Sequence, residues 1–265
     1  MTTMETPIEF QPQPARPARW RWLLLPGAML AGLLAWEMFA RLNHYPAFIL
    51  PLPRQVWARF LVVLGDGVLA RHTQITLIEV FTGLALGLGA ASLLGYLIAK
   101  SPSLERLLTP YIVASQSIPV VAIAPLLVIW FGSGLRSKVL ICALIVFFPI
   151  LINTVVGVRS VEPDLRDLMR SLRATRWQTF LKLELPAALP ILLGGLKIGA
   201  TLSVIGAVVG EFVGADRGLG FLINFGRGQY DTALVFVAVA ALVVIAMGLY
   251  SLVALAEKLL LAWKR

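Results

Sequence analysis

Residues 159–189 read RSVEPDLRDLMRSLRATRWQTFLKLELPAAL, a stretch carrying six Lys/Arg and four Asp/Glu between long apolar runs. Pro163 suits the first turn of a helix, and Leu165, Leu168, Met169 and Leu172 then recur at i, i+3, i+4 and i+7. Arg166, Arg170 and Arg173 fall on another face, so the segment predicts a short amphipathic helix with one greasy and one basic side. Thr175-Arg176-Trp177-Gln178 has the form of a capping box and should start a second helix. Pro186 disfavours helix in the residue before it and should end that element. The expected unit is helix, turn, helix, offered to water by the apolar segments on either side. It fits the groove of a soluble partner or, alternatively, a membrane surface rich in anionic lipid.

Outward from this loop the chain is apolar. Of its 265 residues 58% are hydrophobic and 14% charged, against about 25% charged in a soluble domain. Six runs are long enough to cross about 30 Å of hydrocarbon, at roughly 23–40, 76–99, 110–131, 139–158, 190–213 and 232–256. The fold class is therefore all-α, a polytopic membrane protein with the polar loop between spans 4 and 5. Arg16, Arg19 and Arg21 precede the first run as in a signal peptide. That run is longer than an ordinary signal core and no A-x-A site follows, so it reads as a retained helix. With the N-terminus inside, fourteen Lys/Arg collect on the cytoplasmic side and eight on the other. Both termini and the central loop are then expected in the cytoplasm. The net charge of +9 leaves no basic patch with interleaved aromatics, so nucleic acid is not an expected partner.

Residues 1–19, with four prolines, should form a disordered cytoplasmic tail ahead of a membrane domain over 20–265. Val56, Trp57, Phe60, Leu61, Val63 and Leu64 predict a short amphipathic helix before span 2, with a plain surface loop as the alternative. Span 3 contains Pro119 and Pro125 after Ser115-Gln116-Ser117, either simple kinks or part of a pathway lining. In span 5, Gly199, Ser203, Gly206, Ala207, Gly210, Glu211 and Gly214 share one face, a packing seam of small residues. Glu211 on that seam is expected to bond into Gly218-Leu219-Gly220 as an anchor, or else to meet substrate. Glu37 and Glu79 read as structural, and no two carboxylates have the spacing of a proton relay. Cys142 reads as a small buried apolar residue. His44 and His72 are placed in outer loops, so a hydrolytic dyad is not expected.

The loop resembles the E-A-A-x3-G-x9-I-x-L-P segment of permease subunits in binding-protein-dependent ABC importers. Asp167 stands for the Glu, Leu168 and Met169 for the two Ala, Arg173 for the Gly and Leu183 for the Ile, while Leu185 and Pro186 agree outright. Three further stretches are similar to permeases of nitrate, sulfonate and taurine importers. They are Ser115-Gln116-Ser117-Ile118-Pro119 with Pro125 and Trp130-Phe131-Gly132, Leu185-Pro186-Ala187-Ala188-Leu189-Pro190, and Glu211-Phe212-Val213-Gly214-Ala215 with Gly218-Leu219-Gly220. Relatives of that branch carry riboflavin and the pyrimidine precursor of thiamine, and the Ser-Gln-Ser-Ile-Pro wording leans towards such vitamins.

The resemblance implies a bacterial inner-membrane permease that pairs with a second copy of itself, two cytoplasmic ATPase subunits holding ATP-Mg, and an extracytoplasmic solute-binding protein. Leu165, Asp167, Leu168, Met169, Leu172, Arg173, Ala174 and Trp177 would meet the ATPase. Ser115, Gln116, Ser117, Pro119, Ser203 and Glu211 are candidates for pathway or packing. No cofactor, metal or catalytic residue is expected in the chain, which lacks a G-x-x-x-x-G-K-[ST] phosphate loop. At Arg173, where the pattern has Gly, either the helix runs on into Ala174 or the turn is strained. The rival reading is a secondary transporter or channel driven by an ion gradient, which would pair charges inside the membrane.

Overall fold

The computed structural model describes residues 21–262, with side chains from residue 26 onward; the expected tail at 1–19 and the last basic residues lie outside the described residues. Contacts divide the chain into units at Met1–Pro53 and Arg54–Arg265. In the first, helix α1 (Arg21–Leu42) has 22 residues, enough to rise about 33 Å. Glu37 and Arg41 form an ion pair one turn apart on it.

The boundary falls after the first residue of α2 (Pro53–Gly65), the expected amphipathic helix, whose other residues open the second unit. It continues with α3 (Val68–Lys100), α4 (Pro102–Gln116), α5 (Val120–Phe131), α6 (Leu135–Arg159), α7 (Pro163–Ser171) and α8 (Arg176–Thr179). A π-turn over Phe180–Glu184 leads into α9 (Leu185–Phe212), followed by α10 (Leu219–Gly228) and α11 (Thr232–Leu260). Among the described residues there is no strand. Among the described residues four stretches are long and apolar enough to span a membrane: α3, α6, the run from α8 through α9, and α11. The pair α4 and α5 makes a fifth if it is one broken span.

Three expectations need correction. The third span is no single kinked helix, because α4 and α5 meet at 94°. Pro119 forces Ile118 out of the helical region and so ends α4, whereas Pro125 is tolerated inside α5. Helix α3 begins eight residues before the predicted span, so His72 lies on a helix and not in a loop. Pro186 does not end the second short helix, and the chain stays helical from Arg176 to Phe212. The π-turn supplies the reason. The Leu185 amide donates to the Phe180 carbonyl, five residues back, and this wider turn takes up the room that the Pro186 ring needs against the preceding turn.

Helix α6 is the centre of the unit, and its neighbours reach it through small residues. A Cβ on Gly206 of α9 would lie 2.7 Å from Cys142 Cα, and one on Gly195 would lie 2.6 Å from Asn153 Cβ. From the other side, a Cβ on Gly87 of α3 would lie 2.8 Å from the Ala143 carbonyl oxygen, and one on Gly95 the same distance from Thr154 Cβ. With Gly83 and Ala91 these residues repeat every four positions, so α3 carries a second seam. In lipid, where apolar burial drives little helix association, such close approach supplies the packing that holds helices together.

Candidate functional site

Helix α7 keeps the stripe read from its sequence in the open. Leu165, Leu168 and Leu172 are 41%, 53% and 67% exposed, while Met169 is half-buried. Its end settles the question at Arg173. The Arg173 amide donates to the Arg170 carbonyl at 2.9 Å and the Ala174 amide to Met169 at 2.9 Å. These are the two bonds of a Schellman stop, which needs a left-handed residue at its pivot. Arg173 takes that conformation at φ 51, at a cost of about 1 kcal/mol for a side chain with a Cβ. The helix therefore ends and the turn is strained. Next, Thr175 Oγ1 accepts from the Gln178 amide at 3.2 Å, and Gln178 Oε1 accepts from the Thr175 amide at 2.8 Å, closing the predicted capping box.

The loop is fastened to the bundle at two points. Arg166 donates to the Val158 carbonyl at 2.8 Å. Glu184, buried on the π-turn, receives Lys100 and the Tyr96 hydroxyl, the latter at 3.1 Å. Sequence reasoning passed over Glu184 as the unspecified position between Leu183 and Leu185, although an acid at the mouth of an apolar run is a signal that it has a partner. Asp167 turns to Arg170, 2.9 Å away and exposed. Trp177 stacks at 5.6 Å on Phe180 and walls an apolar cavity, so it stands apart from the α7 stripe.

At the far end of α3, α6 and α9 lies a buried polar cluster. Glu211 Oε1 accepts from Thr76 Oγ1 at 2.7 Å, and its Oε2 accepts from the Gly220 amide. Thr76 in turn accepts from the Leu219 amide at 2.9 Å, and His72 Nδ1 lies 3.0 Å from the Gly218 amide nitrogen. Gly218, at φ 104, leaves room for the Glu211 carboxylate where a Cβ would collide. Lys138 Nζ is 3.5 Å from Glu79 Oε1, with both side chains buried. Glu79 lies one turn along α3 from Thr76, which bonds Glu211, so both acids belong to one cluster. The fold thus brings together two acids that lie 132 positions apart, a proximity the sequence spacing does not reveal. Glu79 Oε2 has no hydrogen-bond partner. Glu79 and Lys138 border a cavity whose rim includes Asp216 and Arg217. In that loop the Arg217 guanidinium, hydrogen-bonded to Asp216, holds its carboxyl below the usual carboxylate range.

The remaining candidates separate. Ser115, Gln116 and Ser117 are exposed at the α4–α5 break, where Ser115 Oγ donates to the Tyr111 carbonyl at 2.7 Å. Pro119 caps α5. Ser203 is fully buried and donates to Ala200, which makes it a residue of the α9 seam. Cys142 fills the space between α3 and α9, with Sγ 3.3 Å from the Ser203 carbonyl. Among the described residues no group of His, Cys, Asp and Glu could hold a metal.

Residues 83–262 match the family model described as binding-protein-dependent transport system inner membrane component. The chain is 49% identical over 245 residues to the riboflavin transport system permease protein RibX of Chloroflexus aurantiacus, covering 92% of this chain and 91% of that one. It is 36% identical over 233 residues to the formylaminopyrimidine transport permease protein ThiX of Halalkalibacterium halodurans, covering 88% and 92%. Among solved structures, the inward-facing MetNI methionine ABC transporter aligns with a TM-score of 0.65 at 21% identity, over 73% of this chain and 96% of that one, a likeness of fold.

Proposed function

Because this chain belongs to the binding-protein-dependent transport system inner membrane components, as the permease subunit of an ABC importer, we propose that its cargo is a vitamin-type heterocycle, riboflavin or a pyrimidine precursor of thiamine. The observation that carries this reading is the 49% identity to the riboflavin permease across 92% of the chain. Sulfonate and taurine permeases stand further off, at 34% and 31%. Labelled riboflavin should accumulate in a riboflavin-requiring host that expresses the chain with its cognate ATPase and binding protein. Accumulation of taurine or an aliphatic sulfonate in place of riboflavin would overturn the choice of cargo.

In this account α1, the broken pair α4 and α5, and the four other spans make six crossings, with both termini and the α7 loop in the cytoplasm. The positive-inside bias supports that orientation. Two copies form the pathway between them, and an extracytoplasmic binding protein delivers the solute. The α7 stripe inserts into a groove of the ATPase. ATP-driven closure of the ATPase pair then moves the helices around Leu165 to Leu185 and switches the pathway between inward-open and outward-open states. The exposure of Leu165, Leu168 and Leu172 supports this docking, since large apolar side chains at the end of two spans otherwise face water. The buried Glu79–Lys138 pair would by itself suit an ion-gradient transporter equally well. Family membership is what decides against that rival.

A further inference from the structure

Two cavities share a wall where the α7 loop meets the spans. One, of about 550 Å³, is bounded by Leu93, Val158, Ala188, Leu192 and the rings of Trp177 and Phe180. The other, of about 670 Å³, is bounded by Lys100, Arg166, Arg170 and Arg176. Tyr96, Arg176 and Glu184 border both, so a molecule with an apolar and a polar end can occupy the two together.

The charges on these walls do not cancel. Glu184 is the sole acid among the lining residues, and Lys100 and Tyr96 already occupy it. Arg170 pairs with Asp167. Arg166 and Arg176 have no acidic partner among the described residues, and Arg166 Nε is buried without a hydrogen-bond partner. Arg166 does give one Nη to the Val158 carbonyl, yet two guanidinium groups without an acidic counter-charge at the mouth of a greasy slot call for an anion that carries hydrocarbon.

We propose that these cavities hold an acidic phospholipid of the adjoining leaflet, with an acyl chain along Leu93, Val158 and Leu192 and its phosphate on Arg166 and Arg176. A guanidinium fork matches phosphate oxygens two at a time. Trp177 and Tyr96 flank the slot, as aromatic side chains do at the level of lipid headgroups. A choline headgroup would bring its own cation to the arginines, so phosphatidylglycerol is preferred to phosphatidylcholine. A soluble phosphate has nothing to place in the apolar half. None of Leu165, Leu168 and Leu172 lines either cavity, so the site stands whether or not that stripe docks an ATPase.

The test is native mass spectrometry of the detergent-purified full-length chain, titrated with phosphatidylglycerol or phosphatidylcholine. Wild type should retain phosphatidylglycerol preferentially. Arg166→Gln with Arg176→Gln should weaken that preference about twenty-fivefold, from about fivefold per arginine, and each single variant should show its own share if the pair fails to fold. Arg227→Gln, on α10, should leave the preference unchanged, and Ser92→Trp, which fills the apolar half, should reduce retention of either lipid. Equal retention of the two lipids by wild type, or an undiminished preference in the arginine variants, would overturn the proposal. Displacement of the lipid by glycerol 3-phosphate would do so too, by assigning the site to a soluble phosphate.

Discussion

Helix α9 and the π-turn before it carry one buried glutamate at each end, and the two ends are built to opposite purposes. At the far end, Glu211 has both carboxylate oxygens bonded, one to Thr76 and one to the Gly220 amide, so side chain and loop backbone lock α3 to the α9–α10 turn. At the loop end, Glu184 reaches Lys100, whose side chain is 41% exposed, and the apolar side chains beyond it point outward. One end closes upon itself, and in the proposed account the other is completed by a partner. Substitutions at the far end should therefore cost stability, and those in the loop should cost coupling.

The largest loss of fold is expected at the seam between these ends. Gly206→Leu drives a side chain into the α6 backbone at Cys142. Overpacking costs about 1–3 kcal/mol when neighbours can shift, and against backbone it should exceed that, so the variant is expected to lose most monodisperse protein on size exclusion. Glu211→Leu should come next. It strips the acceptor from the buried Gly220 amide and the Thr76 hydroxyl, at about 1–3 kcal/mol for each unsatisfied donor, and should lower the detergent melting temperature. Glu184→Gln should lower it less, through a stability loss of about 1–2 kcal/mol, because Lys100 is partly solvated and recovers water when its partner is neutral. Equal melting losses for Glu184→Gln and Glu211→Leu would erase the contrast between a locked end and an open one. The smallest effect has the opposite sign. Arg173→Gly should raise stability by up to about 1 kcal/mol, read as a higher melting temperature, since the left-handed pivot suits glycine.

The parts of this architecture that were legible in the sequence are those fixed by short-range spacing. The α7 stripe, the Thr175–Gln178 box and the small-residue face of α9 each follow from steps of three and four along one helix. The seam on α3 was equally available in Gly83, Gly87, Ala91 and Gly95, but it lies within an apolar run that reads first as a span. Pro119 announced a break in span 3, yet a proline marks where a helix stops and says nothing of where the chain turns next, so the 94° bend was not legible. Pro186 misled for a related reason. Proline disfavours an ordinary helical turn before it, and the chain answers with a wider turn. The Glu79–Glu211 meeting depends on packing between helices far apart in sequence, which no local pattern encodes. For Arg173, the sequence posed the alternatives and the two Schellman bonds chose between them.

The central claim, that the open end of α9 is completed by an ATPase seated on α7, is tested most directly by Leu168→Asp in the co-expressed importer. That residue is more than half exposed and supports no core, so the account predicts normal membrane insertion and melting, with the ATPase no longer co-purifying and solute uptake lost. A variant that still co-purifies with its ATPase and imports at the wild-type rate would contradict it.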